Sequence, residues 1–120
     1  MNERIFKIFN VVSSKGRTYR EVLHNAENHD INLWRVSPGD WIYPHIHPHS
    51  DDIWYIVLGV GEYYITSKEK VTVKPGDIAV ASPGDVHGIF NSGSAELVVF
   101  YVLSPLPVEM VEAPGFEYPV

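Results

Sequence analysis

Residues 39–59 read GDWIYPHIHPHSDDIWYIVLG, with three histidines and two aspartates between His45 and Asp52. In a strand, side chains at i and i+2 share one face and their Cα atoms lie about 7 Å apart. His45 and His47 therefore face the same side, close enough for one ion with metal–nitrogen bonds of about 2.0–2.1 Å. Such a pair alone is weak evidence for a metal site. Its spacing to other residues decides how strong the evidence is.

A second stretch, residues 76–91, reads GDIAVASPGDVHGIFN and supplies another histidine, His87. In the first stretch, Gly39 is followed by five residues, His45-x-His47, four residues, Asp52, six residues and Gly59. In the second, five residues separate Gly76 from Ser82-x-Gly84, two separate Gly84 from His87, and three separate His87 from Asn91. Sixteen residues, 60–75, lie between the two stretches.

These two stretches resemble the paired motifs of the cupin family, G(x)5HxH(x)3–4E(x)6G and G(x)5PxG(x)2H(x)3N. The sequence departs at two positions: Asp52 stands for the usual Glu, and Ser82 for the usual Pro. The resemblance implies an all-β fold, an antiparallel β-barrel or jelly roll (double-stranded β-helix). It also implies one divalent metal ion per chain (Fe, Mn, Ni or Zn), with the ligands His45, His47, Asp52 and His87.

The shorter side chain of Asp52 leaves three roles open. The carboxylate can ligate the ion directly, ligate it through water, or lie near the ion without binding it, as a base that shuttles a proton. His49 and Asp51 are weaker candidates for an additional ligand or a supporting contact. If Asp52 points inward, so do Trp54 and Ile56, and Ile89 accompanies His87, which gives a mostly apolar pocket. For His24 and His29 we expect surface positions.

Composition restricts the remaining possibilities. The chain has 120 residues, a formal charge of −6 and no cysteine, which excludes disulfides and thiolate metal sites and favours the cytosol. With no long basic run and no apolar run near 18 residues, we expect neither a nucleic-acid partner nor a membrane. We expect one domain over residues 1–120, with motif 1 at Gly39–Gly59, motif 2 at Gly76–Asn91 and an extended tail from about Val108.

Short runs rich in β-branched and aromatic residues, separated by Pro-Gly and Gly turns, predict an all-β chain. Three of the turns read Pro-Gly-Asp. The predicted strands are Ile5–Val12, Tyr19–Leu23, Ile31–Val36, Trp41–Ile46, Ile53–Leu58, Glu62–Thr66, Val71–Val73, Ile78–Ala81, Val86–Phe90 and Leu97–Leu103. Both faces of Ile53–Leu58 and of Leu97–Leu103 are apolar, so a second sheet of the chain, a partner in a homodimer, or both cover them.

For function, the resemblance favours a metal-dependent enzyme acting on a small organic molecule inside the barrel, of dioxygenase, decarboxylase, isomerase or lyase type. The alternative is a non-catalytic module that binds or senses a small molecule, with the metal orienting the ligand. A metal that only braces the barrel is a third reading. An open coordination position beside a ligand-sized cavity distinguishes the first two from the third.

Overall fold

A computed structural model describes residues 4–10 and 16–119 of the chain. Within these residues, ten strands form two five-stranded antiparallel sheets, ordered β1-β2-β9-β4-β7 and β10-β3-β8-β5-β6, which confirms the all-β jelly-roll fold. The strands are β1 (Tyr19–Asn25), β2 (Asp30–Val36), β3 (Trp41–Ile46), β4 (Asp51–Leu58), β5 (Gly61–Tyr64), β6 (Lys70–Val73), β7 (Ile78–Ala81), β8 (Val86–Phe90), β9 (Leu97–Ser104) and β10 (Val111–Glu112). In the part of the chain described, no helix is long and apolar enough to cross a membrane.

The three Pro-Gly-Asp segments form turns of one kind. In the last of them the Asp85 N–H donates to the Ser82 carbonyl at 2.9 Å, and Gly84 has a φ of +90°. A proline followed by a residue of positive φ is typical of a type II turn, where glycine is the residue that carries no steric penalty. The Gly84 N–H also donates to the His47 carbonyl at 3.0 Å, so this turn connects the two histidine-bearing stretches.

Strict alternation along β4 separates the core from the outer face. Trp54 and Ile56 point between the sheets and are buried, whereas Ile53 and Tyr55 point outward and stay 40% exposed. The second sheet therefore covers the inner face of β4. Within the described residues, the outer face is left partly open.

A β-bulge sets the direction of the first histidine pair. Ile42 pairs with Ile89 and His45 with His87, so Tyr43 and Pro44 together oppose the single residue Gly88. Proline has no N–H to donate and is tolerated in a strand at such a bulge. The extra residue changes the phase of the alternation, so that Ile42 and His45 both line the same interior cavity.

The last residue of motif 2, Asn91, is fully buried and connects three chain segments. Its side-chain amide donates to the carbonyls of Val36 (2.8 Å) and Ala95 (2.9 Å), and its Oδ1 accepts the Gly93 N–H at 2.9 Å. The Gly39 N–H donates to the Asn91 carbonyl at 2.9 Å. Asn91 therefore fixes the start of motif 1 against the end of motif 2.

Two segments at the ends of the chain differ from the strand pattern. The predicted strand Ile5–Val12 is wrong over residues 5–10, which hold a 3-10 turn at Ile8–Asn10, and residues 11–12 lie outside the described part. Ile5 and Phe9 are largely exposed because this segment pairs with neither sheet, and β propensity needs a partner strand. At the other end, β10 was not predicted; it pairs with β3.

Replacing Gly88 by alanine tests the close packing at the bulge. A Cβ at this position would lie 2.6 Å from both the N and the Cα of Pro44, so the backbone must move. We expect the variant to lose about 1–3 kcal/mol of unfolding free energy, which lowers Tm by about 5–15 °C. Thermal unfolding followed by circular dichroism measures the loss.

Gly93→Ala is the matched control, because the nearest atom to its added Cβ is the Asn91 Oδ1 at 3.4 Å. Equal Tm values for the two variants would show that the bulge is not tightly packed.

Candidate metal centre

Three histidines and one aspartate from three neighbouring segments meet at one point between the sheets. His45 lies on β3 and is paired with His87 on β8, His47 follows β3, and Asp52 lies on β4 of the facing sheet. One ligand atom from each residue lies within 4.8 Å of all the others. His47, Asp52 and His87 are buried, and His45 is half-buried.

Each imidazole is oriented by a backbone carbonyl. The Nδ1 atoms of His45, His47 and His87 lie 2.6, 2.9 and 3.1 Å from the carbonyl oxygens of Tyr43, Glu109 and Asp85. A carbonyl can only accept, so each Nδ1 carries the proton and each Nε2 keeps its lone pair. Such contacts fix the tautomer and the ring orientation of histidine ligands in metal sites.

The two carboxylate oxygens of Asp52 have different partners. Its Oδ1 accepts the Trp54 indole N–H at 2.8 Å, whereas its Oδ2 lies 3.0 Å from the His87 Nε2 and 3.5 Å from the His47 Nε2. The position of β4 therefore compensates for the side chain that is shorter than the usual Glu. Only Oδ2 remains for an ion.

Burial and mutual contacts shift the pKa values of these groups in different directions. Burial, aided by nearby His87, lowers the pKa of His45 to about 4. For Asp52, burial acts to raise the pKa, but the His47 and His87 rings that face the carboxylate outweigh it and hold the pKa below its ordinary value. Burial acts to lower the pKa of His47, but contacts with Asp52 and the Glu109 carbonyl raise it overall. At neutral pH, His45 is therefore neutral and Asp52 is ionised.

The donor set fits a divalent first-row metal ion. In the tautomers fixed by the carbonyls, the His87 Nε2 and the Asp52 Oδ2 face each other at 3.0 Å with lone pairs. That approach is favourable only if a proton or a cation lies between the two atoms. Two ligands bound at ~2.1 Å and at a right angle lie ~3.0 Å apart, which matches this separation. Imidazoles with one carboxylate suit Fe, Mn, Ni and Zn, whereas thiolates would select softer metals.

Three of the four cluster residues, His45, His47 and Asp52, line a cavity of about 660 Å³. Trp34, Trp54 and Leu103 on one sheet and Ile42 on the other give it mainly apolar walls. The C-terminal segment adds Val108, Met110 and Tyr118 at its rim. The volume lies in the usual range for a site that takes a small molecule.

The structure separates the remaining candidates from the cluster. His49 is 74% exposed at its side chain and lies 3.5 Å from Glu109, and Asp51 is exposed beside the inward-facing Asp52.

Trp54 lines the cavity. Ile56 and Ile89 do not: both are fully buried in the hydrophobic core, where the two sheets pack directly against each other. His24 stacks on His29 at 5.2 Å between ring centroids and is half-buried.

Sequence reasoning did not identify several residues of the site. Arg20 and Tyr101 line the cavity from β1 and β9, and the Glu109 carbonyl orients His47 from the C-terminal segment. The alternation along β1 and β9 alone does not show that the two strands contribute to one cavity. A backbone carbonyl also leaves no signal in a sequence.

Comparison with known proteins agrees with the motifs. The family model described as "Cupin domain" matches residues 32–103. An oxalate-binding protein of Thermotoga maritima is 30% identical over 84 residues, which cover 70% of this chain and 68% of that protein.

Two solved structures are also similar. An uncharacterised conserved protein with a double-stranded β-helix domain from Klebsiella pneumoniae is 34% identical, with a TM-score of 0.82 and coverage of 92% of this chain and 96% of that one. A predicted oxalate decarboxylase from Thermotoga maritima is 28% identical, with a TM-score of 0.61 and coverage of 67% and 69%. Motifs, fold and comparisons agree, and the chain belongs to the cupin family.

Proposed function

We propose that the protein is a divalent-metal-dependent enzyme that acts on a small organic molecule inside the barrel. One observation carries the proposal: three imidazoles with fixed tautomers and one carboxylate oxygen converge within 4.8 Å at the wall of a 660 Å³ cavity. A metal that only braces the fold would need no such cavity beside it.

In this proposal His45, His47, His87 and Asp52 hold the ion. The ion supplies a Lewis acid and a template for an oxygen-bearing molecule. The three backbone carbonyls keep the Nε2 lone pairs aimed at one point, and the Trp54 N–H keeps the Asp52 Oδ2 turned toward the histidines. The alternative role for Asp52 leaves the ion to the three histidines, and its ionised carboxylate at the cavity wall is then the base placed to accept a proton from the bound molecule.

A second candidate function is binding without catalysis. The Thermotoga relative is named an oxalate-binding protein, which supports a small oxygen-rich ligand for this chain and does not require turnover. Dioxygenase, decarboxylase, isomerase and lyase reactions all change the ligand, so proton NMR of a small organic acid incubated with metal-loaded protein, which also detects an isomer of equal mass, separates the two functions. Recovery of every candidate ligand unchanged would favour the binding module.

The metal content of histidine variants tests the ligand assignment. We expect the protein, purified without a His-tag or added metal, to hold about one equivalent of Fe, Mn, Ni or Zn. His47→Ala should lose most of this metal, because it removes a ligand whose ring is already oriented. Asp52→Ala should lower the metal content as well. Elemental analysis by mass spectrometry gives the result directly.

His24→Ala is the matched control, since His24 is a histidine outside the cluster that contacts His29. Equal metal content in the His24 and His47 variants would refute the assignment.

Metal affinity should fall as the pH falls, and His47 should be the first of the clustered histidines to bind a proton. Its raised pKa means that, as the pH drops, it binds a proton on Nε2 before an ordinary histidine does. His45 stays neutral until about pH 4. Since the unfolded chain protonates His45 near 6.5, this group also removes stability from the metal-free fold as the pH falls from 6.5 toward 4.

Proton NMR titration of the imidazole resonances in the metal-free protein measures both midpoints. A His45 midpoint at or above the His47 midpoint would contradict this order.

We also propose a homodimer formed through the outer face of the β1-β2-β9-β4-β7 sheet. Cross-strand pairs Ile53–Val80 and Tyr55–Ile78 place four apolar side chains side by side on β4 and β7. Ile78 and Val80 are 64% and 60% exposed. Exposed apolar side chains grouped in this way suit an isologous contact with a second copy, which covers the same face of both copies at once.

Charge on this face should break the dimer. We expect light scattering at micromolar concentration to give about twice 13.6 kDa for the natural chain and a monomer for Val80→Glu, because the interface would bury an unpaired carboxylate. Val71→Glu, at an exposed position of β6 in the other sheet, is the control and should stay dimeric. A monomeric natural chain would refute this part of the proposal.

A further inference from the structure

The cavity has one strongly basic side chain, Arg20 of β1. Among the described lining residues it is the only lysine or arginine. No carboxylate of the described residues lies within 4.0 Å of its guanidinium as an ion pair. Its side chain is exposed, so an incoming molecule can reach it. A guanidinium keeps its charge at every physiological pH.

Tyr101 of β9 completes this basic end of the cavity. Its hydroxyl oxygen accepts the Arg20 Nη1–H at 3.4 Å and the Asn32 Nδ2–H at 3.0 Å. Two donors aimed at one oxygen leave the hydroxyl proton free for an acceptor in the cavity that Tyr101 lines. Burial raises the pKa of Tyr101, so the hydroxyl keeps this proton at neutral pH.

The strand order places this pair beside the metal centre. Tyr101 is paired with Trp54, which is two residues from Asp52 on β4, and with Asn32 on β2, so these side chains share the inner face of the sheet. Arg20 lies on β1, three strands from Asp52, and its side chain reaches back to Tyr101. With strands ~4.8 Å apart, the guanidinium is ~5–10 Å from the strand that carries Asp52. A small organic acid is long enough to span this distance between the Arg20 guanidinium and β4.

We propose that Arg20 and Tyr101 form a carboxylate-binding subsite that selects small organic acids as ligands of this cavity. One carboxylate of the ligand accepts hydrogen bonds from the Arg20 guanidinium and the Tyr101 hydroxyl. The other end of the ligand carries oxygen and meets the His45, His47, Asp52 and His87 cluster, which is where this inference rests on the proposed function.

A carboxylate fits the subsite better than a more highly charged anion. The planar guanidinium donates two parallel N–H groups, a geometry that matches a carboxylate. Asp52 and Glu112 line the same cavity and disfavour a multiply charged group. The chain as a whole carries a formal charge of −6, so at this end of the cavity the attraction for an anion comes from Arg20.

Calorimetric titration of succinate, glutarate and acetate into metal-loaded protein tests the subsite. Succinamide, which has the size of succinate without its charges, serves as the neutral comparison. The variants are Arg20→Gln, Tyr101→Phe and, as a control with the same charge change, Lys70→Gln on exposed β6. Metal content is measured for each variant before titration.

We expect Arg20→Gln to weaken binding of the best acid about ten- to a hundredfold, because it removes a charge-assisted pair. Tyr101→Phe removes one neutral donor and should weaken binding about two- to tenfold. Lys70→Gln should change it less than about twofold. All three variants should keep their metal, and succinamide should bind far more weakly than succinate.

Three results would overturn the subsite: no binding of any acid by the natural chain, equal effects of Arg20→Gln and Lys70→Gln, or equal binding of succinamide and succinate. One further result would count against the proposed function and not against the subsite. If the protein takes up no metal but still binds an acid in an Arg20-dependent way, the subsite stands and the metal-dependent activity does not.

Discussion

A carboxylate buried between two sheets needs donors or positive charge around it, and the fold satisfies this requirement for Asp52. Its side chain is 4% exposed, which would be costly if it were unpaired. The Trp54 indole holds one oxygen, and the imidazoles of His47 and His87 face the other from across the barrel. The two sheets therefore meet at a polar point beside the hydrophobic core, and this point connects β3, β4 and β8.

The parts of the structure that local sequence determines were predictable. Proline followed by glycine fixes a turn through φ alone, and nine of the ten predicted strands overlap observed ones. The resemblance carried by the two motifs also implied His45, His47, Asp52 and His87 as one group, and these four residues do lie together. The inward direction of His45 also depends on the bulge at Pro44, which the spacing of the motif does not reveal.

The features that depend on distant parts of the chain were not predictable. The segment at Ile5 has strand-like residues but no partner strand, and the two residues of β10 pair with β3 although nothing in their sequence indicates it. Ile56 and Ile89 face inward as expected, yet how far the cavity extends along a strand depends on where the sheets touch. Arg20 and Tyr101 are 81 residues apart and meet only because β1, β2 and β9 are neighbours.

The division of the cavity between the matched family region and its flanks has a consequence for how this scaffold diversifies. All four clustered residues lie within residues 32–103, whereas six lining residues lie outside: Arg20, Val108, Met110, Val111, Glu112 and Tyr118. Substitutions in the flanking segments can therefore alter the shape of the cavity while the four clustered residues stay constant. Selection can act on the cavity walls and on the cluster as nearly independent traits.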